Sequence, residues 1–223
     1  MYIPYDIYMG VDLGQKSDFS SVAIIKLHDD RTMHLKYLNR YPLGTSYPAI
    51  VSDISRRLQV PELRGRTMCI ADKTGVGAPV VDLLEQQCSA LIVPLTITNG
   101  QRPKCTRHEY WVPKRDLATR LQVLLETRKL GIPPSLPSRE ALLQEMANFS
   151  VKINVATGDD QYEALHSGEH DDMVLALAMA CWVAQDCWER NQKTVQLLQM
   201  QQEWDRAHRQ AQIDAWLSNM YGL

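Results

Sequence analysis

Two aspartates stand at the ends of short apolar segments, where a charged side chain is unusual. Asp12 closes the segment Tyr-Met-Gly-Val-Asp, and Asp72 closes the segment Cys-Ile-Ala-Asp. An ionised carboxylate beside a buried strand is costly unless a partner neutralises it. Each could be an ordinary turn residue, but if the two strands are neighbours in one sheet, the two carboxylates converge at one edge.

A third group of acidic side chains lies in residues 169–172, directly before a strongly apolar segment. Glu-His-Asp-Asp is followed by Met-Val-Leu-Ala-Leu-Ala-Met-Ala, which is typical of a buried helix. Acids at a helix start often only cap the free amides and complement the helix dipole. A helix this apolar should nevertheless pack against the sheet, and it would then carry Asp171 and Asp172 towards Asp12 and Asp72.

The chemistry open to these carboxylates is metal binding. Oxygen ligands without cysteine or paired histidine suit the hard cations Mg²⁺ and Mn²⁺. Two such ions about 3.5–4 Å apart support in-line displacement at phosphorus, where one activates the attacking water and the other stabilises the leaving oxygen. The spacing does not establish this geometry, but it makes Asp12, Asp72 and the carboxylates of residues 169–172 candidate metal ligands.

The segments that must position these acids predict an α/β domain. Three strands joined by short polar turns begin the chain, which indicates an antiparallel meander. A helix and a strand-helix-strand alternation follow, so the sheet should be mixed and flanked by helices. The predicted strands are 7–14, 20–27, 32–39, 66–72 and 91–97, and the predicted helices among them are 46–59 and 79–89.

The rest of the chain is predicted to be mainly helical. A polar loop spans 98–112, and an extra β-hairpin is predicted from strands at 149–155 and 161–165 around Ala-Thr-Gly-Asp-Asp. We expect residues 1–189 to form one domain and residues 190–223 to form a C-terminal helical tail. The predicted helices of this half are 114–130, 140–148 and 172–188.

Composition excludes several other classes of protein. The 223 residues are 45% apolar and 22% charged, which is ordinary for a globular protein and excludes collagen and a coiled-coil rod. No uninterrupted apolar run predicts a transmembrane helix, and the first ten residues lack the basic region of a secretory signal. The five cysteines are odd in number and show no CxxC spacing, which favours free thiols in a reducing compartment.

The net charge of -2 conceals an uneven distribution along the chain. Residues 102–129 hold eight basic and three acidic side chains, whereas residues 131–189 hold two basic and ten acidic ones. Lysine and arginine neutralise phosphates without reading the base sequence, so the basic segment predicts a DNA-binding surface. A solvated loop and helix face would show the same pattern. The candidate DNA-binding residues are Arg102, Lys104, Arg107, Lys114 and Arg115.

Four motifs, in order over residues 7–188, resemble those of one family. They are Asp12-Leu-Gly with Asp18 and a Val-Ala-Ile-Ile strand, Ile-Ala-Asp72 with Thr-Gly-Val-Gly, Trp-Val-Pro-Lys-Arg-Asp-Leu, and His-Asp-Asp172-Met-Val-Leu-Ala-Leu-Ala. This ordered set resembles the nuclease domain of the large terminase subunit of tailed bacteriophages. The resemblance implies an RNase H-like fold, related to that of Holliday-junction resolvases.

The resemblance also implies an activity, which is metal-dependent endonucleolytic cleavage of double-stranded, concatemeric viral DNA during genome packaging in the host bacterial cytoplasm. It implies two Mg²⁺ or Mn²⁺ ions and makes Asp12, Asp72 and the Asp171–Asp172 pair the catalytic acids, with Asp172 favoured as a direct ligand. Many relatives carry another acid where Leu175 stands here, which shifts weight onto Asp171. The implied partners are double-stranded DNA, the terminase ATPase domain, the small terminase subunit and the portal; there is no membrane partner, and the isolated chain is expected to be a monomer.

One motif of full terminase subunits is missing, because the sequence has no GxxxxGK[ST] phosphate-binding loop. We therefore expect the nuclease half alone, without the ATPase domain. Three other interpretations stay open. The chain could be a Holliday-junction-resolvase-like nuclease, an actin-like or sugar-kinase-type ATPase, since Gly-Val-Asp-Leu-Gly also opens those proteins, or a non-catalytic DNA-binding module whose acids only cap and solvate.

Overall fold

A mixed sheet organises the protein. The computed structural model describes residues 5–14, 18–75, 77–106, 109–153 and 170–221. The strands are β1 (Ile7–Asp12), β2 (Ser21–Leu27), β3 (Met33–Arg40), β4 (Thr67–Asp72), β5 (Leu91–Thr98), β6 (Lys104–Cys105), β7 (Tyr110–Pro113) and β8 (Leu130–Gly131). Within these residues they form one sheet in the order β6-β7-β5-β4-β1-β2-β3-β8.

Five helices accompany the sheet in the described part of the chain. Their apolar positions recur at helical spacing, as in the helix that follows the meander, where Ile50, Ile54 and Leu58 are buried. The predicted α/β architecture, with a mixed central sheet flanked by helices, is therefore confirmed. The helices are α1 (Tyr47–Leu58), α2 (Gly77–Gln87), α3 (Lys114–Glu126), α4 (Arg139–Ile153) and α5 (Asp172–Tyr221).

The meander sets the first register that matters for the site. β1 pairs antiparallel with β2 and β2 pairs antiparallel with β3, so that Asp12 lies opposite Ser21 and Ser21 lies opposite Arg40. We call Asp12, Ser21 and Arg40 the register row. Side chains of adjacent strands at one register position are neighbours, so the row places a carboxylate, a hydroxyl and a guanidinium side by side.

The second register places the two strand-end aspartates together. β4 pairs with β1 in parallel, and the last matched pair is Val11 with Ala71. Asp12 and Asp72 each follow that pair by one residue, at the carboxyl ends of neighbouring parallel strands. The two strands are therefore neighbours, which is the condition under which their carboxylates converge at one edge. Ligand sites of open α/β sheets lie at this edge.

The central strand is covered on both faces. Ile7, Met9 and Val11 belong to one buried cluster with side chains of α1 and α2, among them Ile54 and Leu84. On the opposite face, α5 reaches the strand backbone at Gly10. A Cβ atom on that glycine would lie 1.9 Å from the carbonyl oxygen of Ala176. Only a residue without a side chain permits this approach of helix to strand.

The last helix is longer than the sequence predicts. A helix over 172–188 and a separate helical tail from Arg190 are one continuous element, Asp172–Tyr221. Residues up to 185 belong to one compact unit, and residues from Asp186 onwards belong to a second. The division into domains 1–189 and 190–223 stays a prediction. None of the helices in the described ranges combines the length and apolar character that a bilayer crossing requires.

Two other predicted elements need correction. The polar loop 98–112 contains strands β6 and β7, and Tyr110 is buried there with its ring 5.6 Å from that of Trp182. The first strand of the predicted hairpin is wrong over residues 149–153, which continue α4. Leu142, Met146 and Phe149 are buried at helical spacing, so packing of a helix face outweighs the strand-like alternation. The rest of the hairpin lies outside the described residues.

Candidate functional site

A cleft of about 290 Å³ opens at the carboxyl ends of β1 and β4. Asp12 and Asp72 line it from the sheet, and Asp171 and Asp172 line it from the start of α5. The structure thus brings together all four acids that the sequence singled out. Asp12 and Asp72 are each 8% exposed and Asp172 is 5% exposed, so three of the carboxylates are buried.

The start of α5 is held in place by a carboxylate from another helix. Glu145, on α4, is 6% exposed and accepts hydrogen bonds from the amides of Met173 at 3.1 Å and Val174 at 3.3 Å. A carboxylate at this position satisfies amides that the helix itself cannot pair and complements the helix dipole. The carbonyl of Asp171 accepts the amide of Leu175 at 2.8 Å, which begins the helix. These bonds fix where the two α5 acids stand.

Asp172 is bound to two residues of the register row, Ser21 and Arg40. Arg40 donates to it through Nε at 2.9 Å and Nη2 at 3.2 Å, and the Ser21 hydroxyl donates to Oδ2. The Arg40 guanidinium also forms an ion pair with Glu145. A two-point arginine–carboxylate pair is directional as well as charged, so it sets the orientation of the carboxylate. Arg40 therefore neutralises two buried acids that come from different helices.

Asp171 has a different partner. Its Oδ2 lies 2.7 Å from the Nζ of Lys114, the first residue of α3. The same ammonium lies 5.6 Å from the centre of the Phe149 ring. Side-chain exposure is 29% for Asp171 and 23% for Lys114, so this pair faces the cleft more openly than the pair of Arg40 and Asp172.

The turn after β4 donates hydrogen bonds to the carboxylate of Asp72. Thr74 donates to Oδ1 twice, from its amide at 2.8 Å and from its hydroxyl at 2.6 Å. Burial raises the pKa of Asp72, whereas these two hydrogen bonds and the charge of Lys114 lower it. The chain then turns sharply into α2 at Gly77, where a Cβ atom would lie 2.1 Å from the Asp72 carbonyl oxygen. The glycine therefore lets α2 begin directly beside the acid.

Asp12 is the least compensated of the four acids. Burial raises its pKa well above the usual range, and repulsion from Asp72, Asp171 and Asp172 raises it further, while Lys114 opposes them. In the described part of the chain no hydrogen-bond donor reaches the Asp12 carboxylate. A buried carboxylate without a donor and beside three other acids is a position at which a cation is strongly favoured.

The four carboxylates are suitable ligands for a divalent cation, but they are not already arranged around one point. Among the described residues, no group of three or more acidic, histidine or cysteine side chains is already arranged as a metal site. Two of the four acids are already engaged in ion pairs, Asp171 with Lys114 and Asp172 with Arg40. A cation at either paired oxygen would compete with these basic side chains.

The predicted DNA-binding residues separate into three groups. Lys114 pairs with Asp171, and Arg115 next to it donates to the carbonyl of Gln101 at 2.6 Å. Arg102 and Lys104 are exposed. Arg107 lies outside the described residues.

Sequence reasoning missed Arg40, Glu145 and Ser21, which orient the acids rather than supply them. Ser21 and Arg40 share a register with Asp12, which strand pairing of the predicted meander could have revealed. Glu145 contacts the backbone of a helix 28 residues later in the chain, and no local pattern announces such a contact. Lys73 also lies near the site, and it pairs with Glu109 at 3.2 Å.

Several solved structures are similar to this chain. The large terminase nuclease from the thermophilic phage G20c has a TM-score of 0.54 and 21% identity, with 78% of this chain and 80% of that chain covered. The large terminase nuclease domain of bacteriophage SPP1 with bound Mn has a TM-score of 0.48 and 14% identity, with 78% and 84% covered. The fowlpox virus Holliday junction resolvase has a TM-score of 0.42 and 11% identity, with 81% and 99% covered.

No family model and no curated relative matches the sequence. The likeness to the phage G20c nuclease, together with the mixed sheet and its flanking helices, nevertheless confirms the fold that the sequence motifs predict. The chain has the RNase H-like fold of large terminase nuclease domains.

Proposed function

We propose that the protein is a metal-dependent endonuclease that cleaves double-stranded DNA. The observation that carries this proposal is the convergence of Asp12, Asp72 and Asp171 on one cleft, with Asp12 buried and its pKa raised by burial and by the other acids. Carboxylate oxygens gathered without thiolates suit Mg²⁺ or Mn²⁺. Strongly shifted carboxyl groups in a cleft are also typical of catalytic sites.

We propose that the residues holding two such ions are Asp12, Asp72 and Asp171, with Asp172 close behind. Bound ions of this kind lower the pKa of water and stabilise the oxygen that leaves phosphorus. Asp12 ends the strand that is flanked by β4, which carries Asp72, and by β2, whose Ser21 binds Asp172, so Asp12 would contribute to holding a cation among these acids. Asp172 has both oxygens engaged by Arg40, and we therefore assign the direct α5 ligand to Asp171 and an orienting part to Asp172.

The DNA contact is proposed to lie along the basic segment that adjoins the cleft. Lys114 and Arg115 begin α3, and Arg102 and Lys104 are exposed before it. Such side chains neutralise phosphates and position the duplex without reading its sequence. We expect little sequence preference. The packaging of a viral genome, and partnership with a terminase ATPase domain, small subunit and portal, are supported by the motif resemblance.

The test is digestion of a supercoiled plasmid with Mn²⁺, Mg²⁺ or EDTA. Wild type is compared with Asp12→Asn, Asp72→Asn and, as a matched control, Asp82→Asn, which removes an exposed carboxylate from α2. We expect cleavage with either metal by wild type and the control, and none by the two site variants. Cleavage that survives EDTA, or full activity in both site variants, would overturn the proposal.

Two further substrates separate the alternatives. A strong preference for a four-way junction over a duplex of equal length would identify a resolvase. Binding of ATP without cleavage of DNA would favour an actin-like or kinase-type ATPase. Binding of DNA that needs no metal and leads to no cleavage would favour a non-catalytic module.

A further inference from the structure

The ammonium group of Lys114 is bound to one of the acids that line the cleft. Its Nζ is 2.7 Å from Asp171, and its charge acts on both Asp12 and Asp72. Three carboxylates from three separate elements therefore share one lysine. This placement differs from that of an ordinary surface ion pair, in which a lysine faces a single acid and water.

The surroundings of Lys114 hold the ammonium in place. Lys114 follows β7 directly, and β7 pairs in parallel with β5, so the first turn of α3 is anchored to the sheet. The ring of Phe149, which is buried, lies 5.6 Å from Nζ, within the range of a cation–π contact. Contacts with the Asp171 carboxylate and the Phe149 ring leave the Lys114 side chain about a quarter exposed.

We propose that Lys114 is the resident counter-ion of Asp171 and that it leaves this carboxylate when a divalent cation binds. This inference rests on the proposed function, because it concerns the same metal site. The observation behind it is the ion pair, in which the ammonium already neutralises one of the proposed ligands. Like charges repel, so the cation and the ammonium cannot share the cleft at close range.

Displacement has a consequence for DNA. Once released from Asp171, the ammonium stands at the mouth of a cleft that would receive a phosphate, next to Arg115. A lysine is a flexible point charge that can follow a phosphate without fixed geometry. Lys114 would thus hold the acids in the metal-free protein and contact the DNA backbone in the loaded one.

The experiment measures Mn²⁺ affinity by isothermal titration without DNA, so that it does not depend on cleavage. Lys114→Met keeps the length of the side chain and removes its charge, Lys114→Gln is a polar second variant, and Lys114→Arg keeps the charge. Lys36→Met is the control, since Lys36 is exposed on β3, whereas Lys114 pairs with an acid of the cleft. Circular dichroism establishes that each variant is folded.

Removing the charge should strengthen Mn²⁺ binding about fivefold, because the cation no longer has to break the ion pair between Lys114 and Asp171. The gain is modest because a partly exposed ion pair contributes little free energy. The same variants should melt at a lower temperature in EDTA, and Lys114→Arg and Lys36→Met should bind Mn²⁺ no more tightly than wild type. In an Asp171→Asn background, Lys114→Met should add much less, because the two residues then share no interaction.

Each possible result decides the question. Unchanged or weaker Mn²⁺ binding in folded Lys114→Met and Lys114→Gln would overturn the inference while leaving the proposed function intact. Loss of DNA affinity in EDTA without any change in Mn²⁺ affinity would mean that Lys114 only contacts phosphate, and would overturn it as well. Absence of Mn²⁺ binding by the wild type would instead refute the proposed function itself.

Discussion

Adding a methyl group at Gly10 should push α5 away from the sheet and displace the acids at its start. A Cβ atom there would lie 1.9 Å from the carbonyl oxygen of Ala176 and 3.2 Å from the amide nitrogen of Ala180. Both obstacles are main-chain atoms, so no side chain can rotate to make room. Because Cβ atoms essentially never come within 3.0 Å of another heavy atom, helix and strand must separate by roughly 1 Å.

The size of the effect follows from this separation. Overpacking costs about 1–3 kcal/mol, and the stiffer unfolded chain of an alanine variant offsets about 0.4–1 kcal/mol of it. A net loss of about 1–2 kcal/mol lowers the Tm of a domain of this size by about 2–8 °C. Cleavage should fall about 10- to 100-fold, because a 1 Å displacement of catalytic groups is far more damaging to rate than to folding.

Calorimetry and plasmid cleavage would measure the two effects on Gly10→Ala. Gly100→Ala is the control, because its Cβ would meet only the Thr98 hydroxyl at 3.4 Å, and it should behave as wild type. Ala176→Gly in the Gly10→Ala background should restore nothing, since the obstacle is a carbonyl rather than a methyl group. Wild-type Tm and activity in Gly10→Ala, or rescue by Ala176→Gly, would refute the packing argument.

Four further predictions concern charge. Asp12→Asn should raise the Tm in EDTA, because it removes a buried, repelled charge, and it should abolish the further rise that Mn²⁺ gives the wild type. The pKa of Asp12 is higher in the folded than in the unfolded protein, so ionisation of this carboxyl lowers the stability of the fold. The urea midpoint of wild type, relative to that of Asp12→Asn, should therefore fall as the pH rises from about 4 through the raised pKa. Mn²⁺ affinity should fall as the pH drops below the raised pKa, because the carboxyl is then protonated. Arg40→Gln should cost about 3 kcal/mol in urea unfolding because it leaves buried acids without a cation, and adding Glu145→Gln should recover part of that loss; equal stability of Arg40→Gln and wild type would contradict the network. Replacing Arg102 or Lys104 by alanine should lower the slope of log DNA affinity against log salt by about 1 for each phosphate that the side chain neutralises, whereas an unchanged slope would remove that residue from the interface.

The acids themselves were predictable from the sequence because each marks a break in hydrophobic patterning. Asp12 and Asp72 end apolar strands, and Asp171 precedes an apolar helix that has to be buried. These are local signals, and the packing of one apolar element on another converts them into a shared site. Burial of α5 on the sheet face at Gly10 follows the same logic.

The orienting residues were not predictable in this way. Arg40 ends a strand of ordinary alternating pattern, and its importance comes from a register shared with Asp12 two strands away. Glu145 lies on a helix with no strong amphipathic signal and contacts a distant backbone. The short strand β7 was hidden because Pro113 ends it and polar residues surround it. The roles of Arg40 and Glu145 and the presence of β7 depend on contacts between elements. The periodicity of a single sequence contains no information on such contacts.

Residues that lie far apart in the sequence form the site, so the site is completed late during synthesis of the chain. Ser21 and Asp172 are 151 residues apart and still hydrogen-bonded, and Arg40 meets Asp172 across 132 residues. Such contacts close large loops and form late in folding, after the local meander. A ribosome-bound chain that has completed β4 carries Asp12 and Asp72 but neither acid of α5. Under the proposed function, a nascent chain would not cleave DNA until α5 had emerged and docked on the sheet.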